Sequence, residues 1–148
     1  MEHHFKSWDE LSTNDLYGVL QLRSEVFVVE QECIYSDVDG IDDQAVHLIY
    51  PSQHAMAPKA YCRIFMPVAP QIEAKIGRVV VDNKHRTEGL GRELMKTAVN
   101  WIQNQGIEGI RLEAQTYLID FYSSLGFQVD GKEYLEDGIP HISMSLRF

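Results

Sequence analysis

Residues 75–92 constrain the fold of this chain more than any other part of its sequence. They read as a buried strand over 76–81, a tight glycine turn and the first turn of a helix. Arg86, Gly89 and Gly91 follow the pattern Arg-x-x-Gly-x-Gly. Glycine lets the backbone approach a ligand closely, and the first amides of a helix lack partners at the positive end of its dipole. The segment therefore predicts an anion site for a phosphate or pyrophosphate.

Two common phosphate-binding loops do not fit this turn. The chain has no Gly-x-x-x-x-Gly-Lys-Ser/Thr sequence, which argues against a P-loop nucleotidase. It also lacks the Gly-x-Gly-x-x-Gly fingerprint that binds dinucleotides at the first turn of a doubly wound sheet. Two interpretations remain for the turn: a site for another phosphate-bearing cofactor, or a helix start without a ligand.

Length and charge limit the class of protein. The 148 residues suit one domain spanning residues 1–148. The net charge of -9 argues against nucleic-acid binding and agrees with a cationic partner such as an amine. No apolar run approaches the ~20 residues needed to cross a membrane, and the N-terminus has no signal-peptide pattern. We therefore expect a cytoplasmic protein that binds neither nucleic acid nor membranes.

The two cysteines, Cys33 and Cys62, make neither a disulfide framework nor a metal site. Cys62 lies in an apolar strand and is expected to pack as a small buried thiol. Cys33 follows a polar stretch and is expected to be more exposed. No Cys-His signature surrounds either residue, which argues against a catalytic cysteine. Since His, Asp and Glu do not cluster at metal-ligand spacing, we predict no metal.

The apolar pattern predicts a mixed α/β fold. Ser12 can cap a helix that carries an apolar stripe including Arg23, and the acidic loop 36–43 interrupts the pattern. Strands are predicted near residues 5–8, 46–50, 60–66, 76–81, 110–114, 128–134 and 141–146, and further helices over 90–105 and 117–125. The turn at 136–140 should join the last two strands as a hairpin.

One βαβ unit organises the predicted sheet. It consists of strand 76–81, helix 90–105 and strand 110–114, so these two strands should be parallel with a right-handed crossover. The other strands are linked by loops or hairpins and should be mostly antiparallel. In the last strand His141 alternates with an apolar row and should point to the opposite face.

Two motifs resemble those of a known superfamily. The run at 76–91, Ile-Gly-Arg-Val-Val-Val-x-x-x-x-Arg-x-x-Gly-x-Gly, resembles the acetyl-CoA-binding motif of the GNAT N-acetyltransferases. The run at 121–127, Phe-Tyr-Ser-Ser-Leu-Gly-Phe, resembles their second motif. Two motifs in the right order are far more specific than either alone. Further runs look like the ElaA-type branch, so the resemblance covers nearly the whole chain; they lie at 22–31, 39–40, 45–47, 114–115 and 137–141.

The resemblance implies the GNAT fold, a six- to seven-stranded, mostly antiparallel sheet with a central splayed parallel pair and about four flanking helices. The pantetheine arm of acetyl-CoA would lie in that gap and pair with the strand backbone like an added strand. The implied cofactor-binding residues are Val79, Val80, Val81, Arg86, Thr87, Glu88, Gly89, Leu90, Gly91, Arg92 and Thr116. Thr116 replaces an asparagine that many members carry, which leaves proton transfer through that position open.

Tyr122 is the residue to which the resemblance assigns the chemistry. When an amine attacks the thioester, coenzyme A leaves as a thiolate. A thiol has a pKa of ~8.5 and a phenol one of ~10, so a positioned tyrosine can act as general acid toward the sulfur. The alternative is a helix tyrosine packed at the edge of the sheet.

A general base must take a proton from the acceptor ammonium. The candidates are Glu30, His47, Glu113 and His141. Glu30 and His141 lie in segments typical of the ElaA-type branch, near the expected acceptor side. The alternatives are that Glu30 pairs near Arg23 and that His47 is a satisfied sheet histidine.

These expectations combine into an acyl-CoA-dependent N-acyltransferase that moves acetyl to a primary amine by direct attack in a ternary complex. One alternative is an acyl-CoA-binding sensor or adaptor with little catalysis, and another is a purely structural interaction domain. The acidic loops 31–44 and 134–140 favour a cationic acceptor, either a small-molecule amine or a peptide amine. The sequence leaves the oligomeric state open, with a homodimer as one alternative, since related folds often dimerise.

Overall fold

The computed structural model describes residues 1–148, which are arranged around one sheet of eight strands in the order β1-β2-β3-β4-β5-β8-β6, with β7 beside β8. The strands are β1 (His4–Ser7), β2 (Val46–Tyr50), β3 (Ala60–Phe65), β4 (Glu73–Val81), β5 (Gly109–Gln115), β6 (Gln128–Val129), β7 (Tyr134–Glu136) and β8 (Ile139–Arg147). Only β4 and β5 pair in parallel. The predicted mixed sheet with one parallel pair is confirmed.

Two predicted strands differ in their bounds. The strand expected over 128–134 is divided into β6 and β7, because the polar stretch 130–133 leaves the ladder between them. The first strand lies one residue earlier than predicted, at His4–Ser7. The predicted hairpin is present between β7 and β8, with Asp137 and Gly138 both at positive φ, as a two-residue turn requires.

Three α-helices flank the sheet: α1 (Thr13–Arg23), α2 (Leu90–Asn104) and α3 (Ile119–Ser123). A capping box starts α1, in which Ser12 Oγ accepts from Asp15 N–H at 2.9 Å and the Asp15 carboxylate accepts from Ser12 N–H at 3.0 Å. Beyond Arg23 the helix widens into a π-helical segment over Ser24–Glu30. No helix has both the length and the apolar character that a bilayer crossing would need.

The helix predicted over 117–125 is shorter in the structure. Thr116–Leu118 forms a 3₁₀ turn before α3. After Ser123 the amides of Leu125 and Phe127 both donate to the Tyr122 carbonyl, and Gly126 adopts a φ of +98°. A left-handed residue of this kind ends a helix, and only glycine takes that conformation without cost.

The core lies on both faces of the sheet. On one face Leu90, Leu94 and Ile102 of α2 pack against buried residues of β2, β3 and β4. On the other face α1 and the π-helical segment pack Val19 and Leu22 against the opposite side chains of the same strands. Strand β4 is therefore covered on both faces.

The parallel strands diverge soon after they start to pair. Their ladder consists of Glu73, Ala74 and Lys75 opposite 109–111. From there β4 pairs only with β3, and β5 pairs only with β8. The edge of residues 76–81 that faces β5 consequently has no strand partner, which confirms the predicted splay.

A bulge interrupts β4 at the point where the strands separate. Tyr61 of β3 pairs with Val80 and Arg63 pairs with Gly77, so Arg78 and Val79 together face one residue of β3. Arg78 has a φ of +51°. The left-handed conformation costs a non-glycine residue on the order of 1–2 kcal/mol. The sequence analysis predicted a regular strand here and did not anticipate the bulge.

Candidate active site

A cleft of about 1000 Å³ opens between the diverging ends of β4 and β5. The π-helical segment and the loop that follows it form one wall, and the β7–β8 hairpin forms another. Nine of the predicted site residues line this cleft: Glu30, Val79, Val80, Val81, Arg86, Gly91, Glu113, Tyr122 and His141. The fold thus brings together residues that are far apart in the sequence.

The end of the cleft beside α2, here called the donor end, has the features that a phosphate-bearing arm requires. Gly89 precedes the helix with a φ of +72°, and the amides of the first helical turn point out of it without intrahelical partners. A Cβ on Gly91 would touch Val81 and Phe121 at 3.7 and 3.8 Å, so the helix start lies close against β4. The unpaired strand edge at 76–81 can pair with the amides of an extended ligand. These residues fit coenzyme A.

Six predicted cofactor-binding residues do not line the cleft with their side chains: Thr87, Glu88, Gly89, Leu90, Arg92 and Thr116. The Leu90 side chain is buried in the core, so only its amide can face a ligand. Arg92 donates to Ser124 Oγ at 2.9 Å and lies over the ring of Phe121. The predicted phosphate site at the glycine turn therefore depends on the backbone amides of the turn and not on its side chains.

Glu30 and Arg86 form an ion pair within the cleft. Arg86 Nη1 lies 2.8 Å from Glu30 Oε2, and Arg86 Nε donates to the Val81 carbonyl at 3.1 Å. Both side chains are partly exposed. The sequence alternative that Glu30 pairs near Arg23 is wrong, because Arg23 binds aspartates of the following loop instead.

Tyr122 lies at the base of the cleft and is only 5% exposed. Its ring meets those of Phe121 and Phe127 edge-on, with centroids 5.1 and 6.0 Å away. Burial raises the pKa of the Tyr122 phenol far above its ordinary value. The hydroxyl therefore stays protonated and can serve as a hydrogen-bond donor.

His141 faces the cleft from β8, on the opposite side of the strand from the buried Met144. Its Nδ1 lies 2.7 Å from the Ile139 carbonyl oxygen. Because a carbonyl can only accept, Nδ1 carries the proton and Nε2 is left as an acceptor. The Tyr134 ring stacks on the imidazole, with 5.9 Å between centroids.

Two carboxylates lie beside this histidine. Glu113 Oε2 accepts from the Tyr134 hydroxyl at 2.7 Å, and Glu136 Oε2 lies 3.9 Å from His141 Nε2. Burial, together with the neighbouring Glu113, raises the pKa of the Tyr134 phenol, so its hydroxyl remains a donor. No arginine or lysine forms an ion pair with either carboxylate. This group can hold an ammonium and receive its proton.

His47 lies away from the cleft. Its Nε2 donates to the Asp42 carbonyl at 2.9 Å, and its Nδ1 accepts from the Tyr61 hydroxyl at 2.6 Å. Burial lowers the pKa of His47, which keeps the ring neutral. It is a satisfied sheet histidine, as the sequence alternative held, and it takes no part in the site.

A buried ion-pair network, which the sequence analysis missed, supports the wall opposite the hairpin. Arg23 lies 2.9 Å from Asp37 and 2.7 Å from Asp42. Arg63 lies 2.9 Å from Asp42 and also binds Asp39 through both terminal nitrogens. These hydrogen bonds from Arg63 lower the pKa of Asp39 to about 2. The network fixes the loop after the π-helical segment to the sheet.

The network reduces the free negative charge of the acidic loop 31–44, because it pairs three of the five acidic residues of that loop. The carboxylates of Asp37, Asp39 and Asp42 form ion pairs with arginines of the protein itself. One signal in the sequence could have revealed this, because Arg23 falls within an apolar helical stripe and Arg63 within an apolar strand. A charge on a buried face requires a partner. The unneutralised carboxylates of the site lie instead on β5 and the hairpin.

Cys33 is buried, contrary to expectation, whereas the burial of Cys62 is confirmed. The hairpin folds over Cys33, placing its Sγ 3.7 Å from the Asp137 carbonyl. Burial raises the pKa of the Cys62 thiol strongly. No group of three or more His, Cys, Asp or Glu side chains is placed to hold a metal ion.

Comparison with known proteins identifies the family. The acetyltransferase (GNAT) domain family matches residues 64–148. The protein ElaA of Escherichia coli is 40% identical over 149 residues, covering 97% of this chain and 92% of its own length. The UPF0039 protein C11D3.02c of Schizosaccharomyces pombe is 38% identical over 148 residues, covering 99% of this chain and 97% of its own length.

Solved structures agree with these matches. The crystal structure of an acyl-CoA N-acyltransferase from Pseudomonas aeruginosa has a TM-score of 0.91 and 38% identity, and 98% of each chain is covered. The crystal structure of Escherichia coli ElaA has a TM-score of 0.90 and 36% identity, covering 99% of this chain and all of the other. The splayed strands, the two motifs and these similarities together establish that the chain belongs to the GNAT acetyltransferase superfamily and resembles its ElaA-type members.

Proposed function

We propose that this protein transfers an acetyl group from acetyl-CoA to a primary amine by direct attack in a ternary complex. The observation that carries the proposal is the cleft between β4 and β5, where an unpaired strand edge, a glycine turn and Tyr122 surround one space. Membership of the GNAT superfamily supports an acyl-CoA donor, as does the similarity to a protein named an acyl-CoA N-acyltransferase.

The donor end would hold acetyl-CoA mainly through backbone groups. Bound there, the thioester supplies the activated acetyl group. The strand edge at Val79, Val80 and Val81 would pair with the pantetheine arm, and amides of this edge would polarise the thioester carbonyl. The amides at the start of α2 would hold the pyrophosphate, and Arg86 would add a charge-assisted contact.

His141 is the group that we assign as general base. Its Nδ1–H bond to Ile139 fixes the tautomer, so Nε2 takes the proton from the acceptor ammonium. Glu113 and Glu136 stand beside it and bind the ammonium before the proton leaves. Glu30 is the weaker candidate for the base because Arg86 already occupies its carboxylate.

Tyr122 interacts with the leaving group, the thiolate of coenzyme A. A phenol whose pKa is raised by burial remains protonated throughout, so it donates a hydrogen bond to the departing sulfur. It is a poor source of a full proton, because the thiol that would form has a pKa of only ~8.5. We therefore assign Tyr122 to stabilisation of the developing thiolate by a hydrogen bond, in place of the general-acid role that the resemblance implies.

Replacing Tyr122 by phenylalanine tests this function. We expect Tyr122→Phe to lower turnover by about 100-fold and to leave coenzyme A affinity unchanged. Free-thiol release with a panel of amines measures turnover, and calorimetric titration measures affinity. Tyr17→Phe, which removes the hydroxyl of a tyrosine that is 66% exposed on α1, is the control and should behave as the wild type.

Three outcomes of these assays separate the proposal from its rivals. Unchanged turnover in Tyr122→Phe would remove the assignment of that residue. If coenzyme A stabilises the wild type against heat and no amine gives thiol release, the protein is a sensor or adaptor. If coenzyme A does not stabilise it at all, the chain is a structural interaction domain.

A further inference from the structure

The bulge in β4 depends on a residue whose backbone conformation is unfavourable. Arg78 holds a φ of +51° in the position of an antiparallel bulge that glycine usually occupies. An arginine in this conformation persists only where other contacts hold it there. The residues that follow, Val79, Val80 and Val81, form the strand edge of the donor end.

The contacts that hold Arg78 come from the loop after the π-helical segment. Its Nε lies 2.9 Å from Asp37 Oδ1, and its Nη2 donates to the Asp37 carbonyl at 3.1 Å. The guanidinium also lies over the ring of Tyr35, whose hydroxyl donates to the same carboxylate at 2.9 Å. Arg78 Nη2 also lies 3.4 Å from Asp39 Oδ2, so this one side chain joins β4 to two aspartates of the loop, of which Asp37 is the nearer.

Asp37 is itself firmly anchored. It is only 6% exposed, and Arg23 binds both its carboxylate, at 2.9 Å, and its carbonyl, at 2.7 Å. Arg23 belongs to α1, which packs on the sheet. The position of Asp37 is therefore fixed by the core, and Arg78 is drawn toward a rigid point.

We propose that Arg78 and Asp37 are positioning residues, whose ion pair holds the β4 bulge and so sets the direction of the amides that polarise the thioester carbonyl. The effect of this ion pair on catalysis rests on the proposed function. Neither side chain needs to touch the reacting atoms. Misplacement of groups by about 1 Å can cost 100-fold in rate, so a bulge that relaxes would lower turnover while the protein stays folded.

The test compares two replacements of the same side chain. Arg78→Ala removes the ion pair and leaves a Cβ in the left-handed conformation, so the bulge should relax and kcat should fall about 10- to 100-fold. Arg78→Gly also removes the ion pair but makes that conformation free of strain. We expect its kcat to stay within about threefold of the wild type.

The diagnostic result is which of the two variants, Arg78→Ala or Arg78→Gly, keeps the higher kcat. In an ordinary strand glycine is worse than alanine, because it loses more chain entropy on folding. The pair Arg147→Ala and Arg147→Gly, made at an exposed strand residue with ordinary φ, supplies this control and should show the usual order in stability. If Arg78→Gly is as slow as Arg78→Ala or slower, the proposal is overturned.

A double-mutant cycle tests the part played by Asp37. Asp37→Asn should lower kcat about tenfold in the wild-type background and have little effect on kcat in the Arg78→Gly background. Circular dichroism at the assay temperature confirms that each variant is folded. Equal effects of Asp37→Asn in both backgrounds would show that Asp37 does not act through Arg78.

A structural measurement keeps this inference separate from the proposed function. Backbone chemical shifts of Val79, Val80 and Val81 report the bulge in protein that carries no ligand. They should match the wild type in Arg78→Gly and differ in Arg78→Ala. If no amine gives thiol release, the proposed function fails, but the chemical shifts still decide whether the ion pair holds the bulge. Unchanged shifts in Arg78→Ala would refute the inference that the ion pair holds the bulge.

Discussion

The donor end of the cleft is built from backbone, whereas the acceptor end is built from side chains. At the donor end a strand edge, a left-handed glycine and the start of α2 present amides and carbonyls. At the acceptor end His141 and two carboxylates are held by a hairpin, and a network of six charged residues supports the facing wall. The donor end depends on backbone conformation, including that of the β4 bulge at Arg78. The acceptor end depends on side chains that are held in place by partners from distant parts of the chain.

The largest expected effect concerns the wall of the cleft formed by the π-helical segment and the loop that follows it. Asp42→Ala leaves Arg23 and Arg63 without a shared carboxylate in a buried environment. Loss of one member of a buried ion-pair group costs about 3–5 kcal/mol. Unfolding in urea should show this loss, and Asp43→Ala, at an exposed neighbour, should change stability by no more than about 0.5 kcal/mol. A cost below about 1 kcal/mol for Asp42→Ala would mean that the network is dispensable.

The next effect concerns the base. His141→Gln keeps the side chain polar and removes the proton acceptor, so kcat should fall about 100-fold while the KM for acetyl-CoA changes little. Steady-state thiol release at a series of acetyl-CoA and amine concentrations measures both parameters. An unchanged kcat would exclude His141 as the base.

A smaller effect tests whether the backbone conformation of the glycine turn contributes to coenzyme A affinity. Gly89→Ala places a Cβ in open space at a φ of +72°, so its cost is the strain of that conformation, about 1–2 kcal/mol. Gly106→Ala introduces the same strain at the far end of α2, where φ is +78°. We expect coenzyme A affinity to fall about tenfold in the first variant and to be retained in the second. Equal losses would show that the glycine turn acts only through general stability.

The smallest effect is the response of the network to acid. Arg63 lowers the pKa of Asp39 to about 2 in the folded protein, below the ordinary value of 3.8. The ionised Asp39 carboxylate therefore stabilises the folded protein fully above about pH 4, and this stabilisation is lost as the pH falls toward 2. After allowance for solvent screening it amounts to about 1 kcal/mol. Urea unfolding between pH 6 and 2 should show a shallower loss in Asp39→Asn than in the wild type, and identical slopes would contradict this.

The difference between the two ends also explains what could be predicted from the sequence. The glycine turn is predictable because Gly89 and Gly91 act on their own immediate backbone. The strand before it is predictable from its apolar run, although its bulge at Arg78 is not. The splayed pair followed from the order of strand, helix and strand together with a family resemblance. In each instance the residues that determine the feature are close together in the chain.

The acceptor end and the bulge in β4 could not be predicted, because their determinants are far apart in the chain. Asp37 meets Arg23 fourteen positions away and Arg78 forty-one positions away, and no local rule joins them. Nothing about an arginine in a strand predicts a φ of +51°. Cys33 was expected to be more exposed because the hairpin that covers it comes about a hundred residues later.

The unpaired edge of β4 has a further consequence for how the protein behaves among other chains. A free strand edge normally invites pairing with foreign strands and leads to aggregation. This edge lines a cleft whose other walls come from β5, the π-helical segment and α3. The flat sheet of another protein would meet these elements before it reached the edge, whereas a single extended arm can enter and complete the ladder. The recess thus favours a narrow ligand over a foreign sheet.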